Sequence, residues 1–157
     1  MASLTTSAAD FAEALADGGK LAGLDVGTKT IGTALSDAGW RFATAGKTLP
    51  RGKFSRDLEA LRALAAERKV TGIVLGLPLN MDGSDGPRAQ SARAYARNLA
   101  PLGLPVLLWD ERWSTASAER DLIAQDFSRA KRAERIDSHA AAVILQAALD
   151  ALVGGAF

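Results

Sequence analysis

Between residues 20 and 49 the apolar positions come in short runs broken by glycine and by polar pairs. That is the pattern of strands joined by tight turns. It predicts an antiparallel meander of about Lys20–Asp25, Ile31–Ser36 and Phe42–Leu49, with turns at Gly27 and at Asp37-Ala-Gly39. From Ser55 the spacing changes. Leu58, Leu61, Leu64 and Ala65 fall on one helical stripe, and Ser55 is the expected N-cap. Val70–Leu75 is continuously apolar, as in a strand covered on both faces. A glycine-bounded loop, Gly76 to Ser84, then leads to a helix over about Asp85–Leu99, capped by Ser84 or Asp85 with Pro87 in its first turn. Pro101-Leu-Gly-Leu-Pro105 turns the chain into a fifth strand, Val106–Trp109. A helix capped by Ser114 or Thr115 is expected to about Gln125. Ile136, Ala140, Val143, Ile144 and Ala147 mark a final helix at period 3.6.

Three strands followed by helix, strand, helix, strand and two helices give an α/β fold. Strands joined through helices run parallel with right-handed crossovers. The expected sheet is therefore mixed and five-stranded, an antiparallel meander plus two parallel strands, with helices on both faces. Residues 1–19 read as a separate, polar, Ala-rich segment. Ala8, Phe11 and Leu15 share one face of a short, weakly anchored helix there, ended by Gly18-Gly19. Residues 20–157 form the single domain, a length that can bury a real core.

Composition changes this picture little. Apolar residues make up 48% and charged residues 24% of the 157, which is ordinary for a globular chain. The sequence holds no cysteine, which removes disulfides and thiolate metal sites and fits a reducing compartment. No apolar run is long enough to span a bilayer, so a soluble, cytoplasmic protein with no membrane partner is expected. The formal net charge is only +1, but its distribution is uneven. Residues 41–56 hold Arg41, Lys47, Arg51, Lys53 and Arg56 and no acid, and residues 128–135 hold Arg129, Lys131, Arg132 and Arg135 against Glu134. Two basic stretches beside acidic strand ends suit a bound polyanion.

Those acidic strand ends carry the candidate chemistry. Asp25 closes the first strand two residues before Gly27, where the backbone admits close approach. Asp110 and Glu111 close the fifth. Open sheets of this kind bind ligands at the carboxyl ends of their parallel strands. Asp137 begins the last helix near the edge of its apolar stripe, able to lean over those ends. Neighbouring strand residues face opposite ways, so only one of Asp110 and Glu111 points at such a site.

Four segments together resemble the YqgF (RuvX) family: Leu24-Asp-Val-Gly-Thr-Lys-Thr-Ile-Gly32, Gly76-Leu-Pro-Leu-Asn-Met-Asp-Gly83, Asp110-Glu-Arg112 with Ser114-Thr115, and Asp137-Ser-His-Ala-Ala-Ala-Val-Ile-Leu145. The resemblance covers about residues 20 to 150 in the family's order. It implies an RNase H-like fold and a metal-dependent endonuclease acting on structured nucleic acid. The implied role is maturation of the 5′ end of 16S rRNA, with four-way DNA junction resolution or a non-catalytic ribosome-assembly role as alternatives. It makes Asp25, Glu111 and Asp137 the ligands of Mg²⁺ or Mn²⁺, two ions in all, with Glu111 taken over Asp110 because the family motif does. Related junction resolvases carry a glutamate at the end of the fourth strand, where this chain reads Leu75-Gly-Leu-Pro-Leu.

The remaining candidates are contacts. Thr28 and Lys29 in the first turn are placed to meet phosphate, and Lys29 could steady developing charge. Asn80, Asp82 and Arg112 are further candidate substrate contacts. His139, the only histidine, is left out of the catalytic set. Trp40, Trp109 and Trp113 are candidates for stacking on bases, although Trp109 reads more simply as core. A homodimer and a ribosomal association are further expectations.

Overall fold

The computed structural model describes residues 3–15, 17–114 and 129–154, with backbone alone over 129–137. The sheet has six strands, not five. They are β1 (Leu4–Thr5), β2 (Lys20–Val26), β3 (Thr30–Ser36), β4 (Ala43–Pro50), β5 (Val70–Leu77) and β6 (Val106–Asp110), in the spatial order β1-β6-β5-β2-β3-β4. The meander β2-β3-β4 is antiparallel, while β5 and β6 run parallel to β2. The extra strand pairs Leu4 with Val106 and Thr5 with Leu107, parallel to the edge strand β6. Two residues are too few to show any periodicity, so nothing in the apolar pattern marks them.

Helix α1 (Ala8–Ala14) starts at Ser7, whose hydroxyl accepts from the Asp10 amide. It is firmly anchored: Phe11 is fully buried and Ala8 and Leu15 belong to the core. Residues 4–15 are thus built into the same packed unit as the rest. Helix α2 (Phe54–Arg68) begins two residues earlier than a cap at Ser55 requires, with Lys53 at the cap position and no side-chain cap. Helix α3 (Pro87–Asn98) is preceded by Gly86, and Pro87 takes the first helical position. Asp85 instead pairs with Arg93, Nε to Oδ2 2.7 Å. Helix α4 (Arg129–Gly154) closes the chain. The helix expected between Thr115 and Gln125 lies outside the described residues. Among those described, no helix is long and apolar enough to cross a membrane.

Two apolar layers sandwich the sheet. One lies under α1 and α4 and includes Phe11, Leu21, Val74, Leu107, Trp109, Ile144 and Leu145. The other lies under α2 and α3 and includes Leu24, Ile31, Leu61, Leu75, Leu77, Tyr95 and Leu108. On α4 the buried stripe is Ala140, Ala141, Ile144, Leu145, Ala148 and Leu149, much of it alanine, so the helix axis can approach the strands closely. It does so at Gly23. A Cβ there would sit 2.8 Å from Leu145 Cβ and 2.9 Å from the Ala141 carbonyl oxygen. Neither group can swing aside without moving the helix. Gly23→Ala is therefore expected to lower unfolding free energy by about 1–3 kcal/mol, the usual cost of an extra methyl in a filled core. Urea titration of the two proteins measures this, and an unchanged midpoint would contradict the packing described.

Candidate active site

Side chains alternate across the sheet, and the two layers fix the parity. Leu21 of β2 belongs to the α4 layer, and an added Cβ on Gly23 would point at α4, whereas Leu24 and Val26 belong to the opposite layer. Asp25 therefore turns toward α4. It is only 2% exposed. Gly76 of β5 lies next to it across the ladder, since Leu24 pairs with Leu75, and Gly76 in turn pairs with Trp109 of β6. A Cβ on Gly76 would stand 2.7 Å from Ile144 Cδ1, 3.1 Å from Glu111 Oε2 and 3.3 Å from Glu111 Cδ. The Glu111 carboxylate thus leans over Gly76 on the α4 face. It too is buried, at 6% exposed.

The sheet so brings Asp25 and Glu111 to one face, on β2 and just past β6, with the bare backbone of Gly76 between them. Neighbouring strands lie about 4.8 Å apart, so the missing side chain leaves the room into which both carboxylates can reach.

Asp110 is committed elsewhere. It ends β6 and caps the three-residue turn Glu111–Trp113 by accepting from the Arg112 amide at 2.9 Å. Its carboxylate also takes the Arg112 guanidinium, Nη2 to Oδ2 2.7 Å and Nε to Oδ1 3.1 Å. Partial burial works to raise the Asp110 carboxyl, but the Arg112 side chain and amide outweigh it and hold the group below its ordinary range. Arg112 is drawn upward by the same pair.

Arg112 also donates from Nη1 to the Met81 carbonyl at 3.3 Å, which ties the loop after β5 to the end of β6. Within that loop Asn80 is turned inward. Its amide donates to Ser84 O and its side-chain nitrogen to Ser84 Oγ, both at 3.0 Å. Asp82 accepts from the hydroxyl and the amide of Ser84, and these bonds hold its carboxyl low. Arg112 and Asn80, both expected to touch substrate, are thus seen shaping the loop beside Glu111.

Thr28 and Lys29 are exposed at the tip of the β2–β3 hairpin, three and four residues beyond Asp25. The turn closes through the Gly27 amide on Thr30 O at 2.8 Å. Arg51 holds it from behind. Its Nη1 donates to Gly27 O at 2.7 Å and its amide to Lys29 O at 2.8 Å, while the guanidinium lies 5.2 Å from the centroid of the Tyr95 ring. Buried Asp57 completes the support by accepting from the Gly52 amide and the Tyr95 hydroxyl. Burial, then the nearby Asp57 carboxylate, push the Tyr95 phenol above its ordinary value. The sequence shows Arg51 only as one cation among five, because the groups it joins lie in a different turn and a different helix.

Other candidates fall away from the acids. Trp40 sits at the opposite end of β2, where its indole N–H donates to Gly19 O at 2.6 Å. Trp109 is core, as expected. His139 is half-buried on α4 beside Ser138, whose hydroxyl pairs with that of Thr48 on β4. The Asp137 side chain and those of the basic stretch 129–135 lie outside the described residues. Among the described residues no three acidic, histidine or cysteine side chains group as a metal site. The donor set that is described, two buried carboxylates on one face of the sheet on either side of Gly76, fits a hard divalent cation.

A family model described as "RuvX: Holliday junction resolvase" matches residues 19–151. This chain belongs to the RuvX family. Among curated relatives, a protein of Sphingopyxis alaskensis is 72% identical over 149 residues, covering 95% of this chain and 98% of its own. One of Novosphingobium aromaticivorans is 68% identical over 154 residues, covering 98% and 99%. Both carry the name "Putative pre-16S rRNA nuclease". Among solved structures, Thermus thermophilus RuvC in complex with a Holliday junction substrate aligns with a TM-score of 0.55 at 13% identity, over 87% of this chain and 96% of that one. That likeness is one of fold. The RuvX protein therefore has the α/β, RNase H-like architecture of RuvC, with six strands in its sheet.

Proposed function

We propose that this RuvX protein is a divalent-metal-dependent endonuclease that trims the 5′ end of precursor 16S rRNA in the cytoplasm. The observation that carries this reading is the pair Asp25 and Glu111, buried on one face of the sheet on either side of Gly76. Burying a carboxylate is costly, and two of them at the carboxyl ends of parallel strands need a reason to be there. Holding cations against a phosphate is such a reason. Asp25 and Glu111, joined by Asp137, would hold Mg²⁺ or Mn²⁺. Bound divalent cations would supply activation of water and stabilisation of the leaving oxygen in an in-line phosphodiester displacement.

The chain's own residues do the rest. Rigid strand ends keep the two acids in place, Lys29 and Thr28 present a cation and a hydroxyl to the phosphate backbone, and Arg51 fixes the turn from which they project. The names of the relatives favour RNA as the substrate, and the family description favours four-way DNA junctions. Incubating the protein with Mg²⁺ or Mn²⁺ and either a precursor 16S 5′ segment or a four-way junction separates them. Specific incision of the RNA alone is expected. Incision of the junction alone would move the assignment to resolvase, and binding without incision of either would make it an assembly factor.

A further inference from the structure

The short turn that carries Glu111 also forms one wall of a cavity of about 440 Å³, within the range of small-ligand sites. Leu77, Leu79 and Leu108 supply apolar walls, Arg93 stands among the lining residues, and Trp109 and Trp113 meet there edge to face with centroids 6.3 Å apart. The cavity lies along β6 beyond Leu107, the last residue that β1 covers.

Trp113 is 71% exposed. Its neighbour Arg112 donates to the backbone carbonyl of Met81, whose residue is 88% exposed. Single exposed apolar residues are unremarkable, but Trp113 is also one wall of a concave, largely apolar site. The indole N–H of Trp109 is buried with no acceptor among the described residues. Among the described residues no hydrogen bond pins that ring.

We infer that this cavity takes the base of an unpaired nucleotide flanking the scissile phosphate, stacked on Trp113 against the apolar wall. The inference rests on the nuclease reading and deepens it. The occupant is nucleic acid because Trp113 lies two residues from Glu111 on one three-residue turn. Whatever sits on the indole while the acid faces a phosphate must belong to the same strand, or leave that strand room. A base has the flat π-face that an exposed indole accepts whatever its sequence, while Arg93, among the lining residues, is paired with Asp85 at 2.7 Å. The selected feature is then an unstacked residue next to the cut, such as a junction between paired and single-stranded RNA supplies.

Binding can be measured without cleavage, in an Asp25→Asn background, with RNA oligonucleotides carrying one abasic position at each site around the cut. Trp113→Ala is expected to weaken binding about tenfold or more, and Trp113→Phe to keep most of the affinity. At one position, removing the base should cost the Trp113 protein affinity and cost the Trp113→Ala protein nothing further. Equal losses at every position in both proteins, or an unchanged dissociation constant for Trp113→Ala, would overturn the inference. The Trp113 side chain is largely in solvent, so the alanine variant should fold, and its circular dichroism melt checks that. Absence of cleavage by the unsubstituted protein would refute the nuclease reading separately, because the binding cycle needs no turnover.

Discussion

Asp25→Asn will fold and bind nucleic acid, and it will cut about a thousandfold more slowly or worse. The substitution keeps the shape of the side chain and removes its charge at a place that is 2% exposed. Loss of one anionic donor from a metal site forfeits several kcal/mol of charge stabilisation in the transition state, and at about 1.4 kcal/mol per tenfold this is roughly three orders of magnitude. Binding survives because the contacts assigned to the phosphate backbone, Lys29 and Thr28 on the hairpin tip, are untouched. Single-turnover cleavage with saturating enzyme isolates the chemical step. Metal-dependent cleavage at the original rate would remove Asp25 from the site.

The second large effect is thermal. Stripped of divalent ions by a chelator, the protein should melt several degrees lower than in millimolar Mg²⁺ or Mn²⁺. A ligand present at about ten times its dissociation constant adds about 1.4 kcal/mol, worth roughly 3–6 °C in a chain of this size. The shift should disappear in Asp25→Asn and in Glu111→Gln and persist in Asp110→Asn. That last protein tests the division of labour at the end of β6. Its carboxylate is held by Arg112 on the side away from Glu111, so its loss should loosen the loop around Met81 and leave the metal response in place. Scanning calorimetry with and without chelator reads all four proteins. Identical melting of the unsubstituted protein in both conditions would count against a metal site, and loss of the shift in Asp110→Asn would move the ligand one residue back.

Much of this arrangement could be read before any coordinates. The meander, the two parallel strands, helices α2 to α4 and the strand-end positions of Asp25 and Glu111 follow from spacing, because a buried sheet and amphipathic helices impose their periods on sequence. What spacing could not reach was held by backbone or by space. Strand β1 pairs only through main-chain groups, and Lys53 begins α2 without the side-chain bond that would have identified a cap. Ser84 and Asp85 had the chemistry of caps, yet Asp85 is drawn away by Arg93 and the helix starts on Gly86 and Pro87. Gly76 matters for the side chain it lacks, and Arg51 for groups distant in the chain. Neither kind of relation leaves a local pattern. What separates the surroundings of Asp110 from those of Glu111 is the facing of Gly76 and the bond from the Arg112 amide to Asp110, neither of which spacing reveals.

The strip of chain formed by Leu4 and Thr5 has a practical meaning for anyone trimming this protein. The match to the family model starts at residue 19, and a boundary drawn there would discard both the strip and Phe11, whose ring fills the space beside Gly72 and Leu15. The severed piece would leave the outermost full-length strand with bare amides along its flank, an invitation to pair with other chains. The boundary of the family model and that of the packed unit fall at different places in this polypeptide.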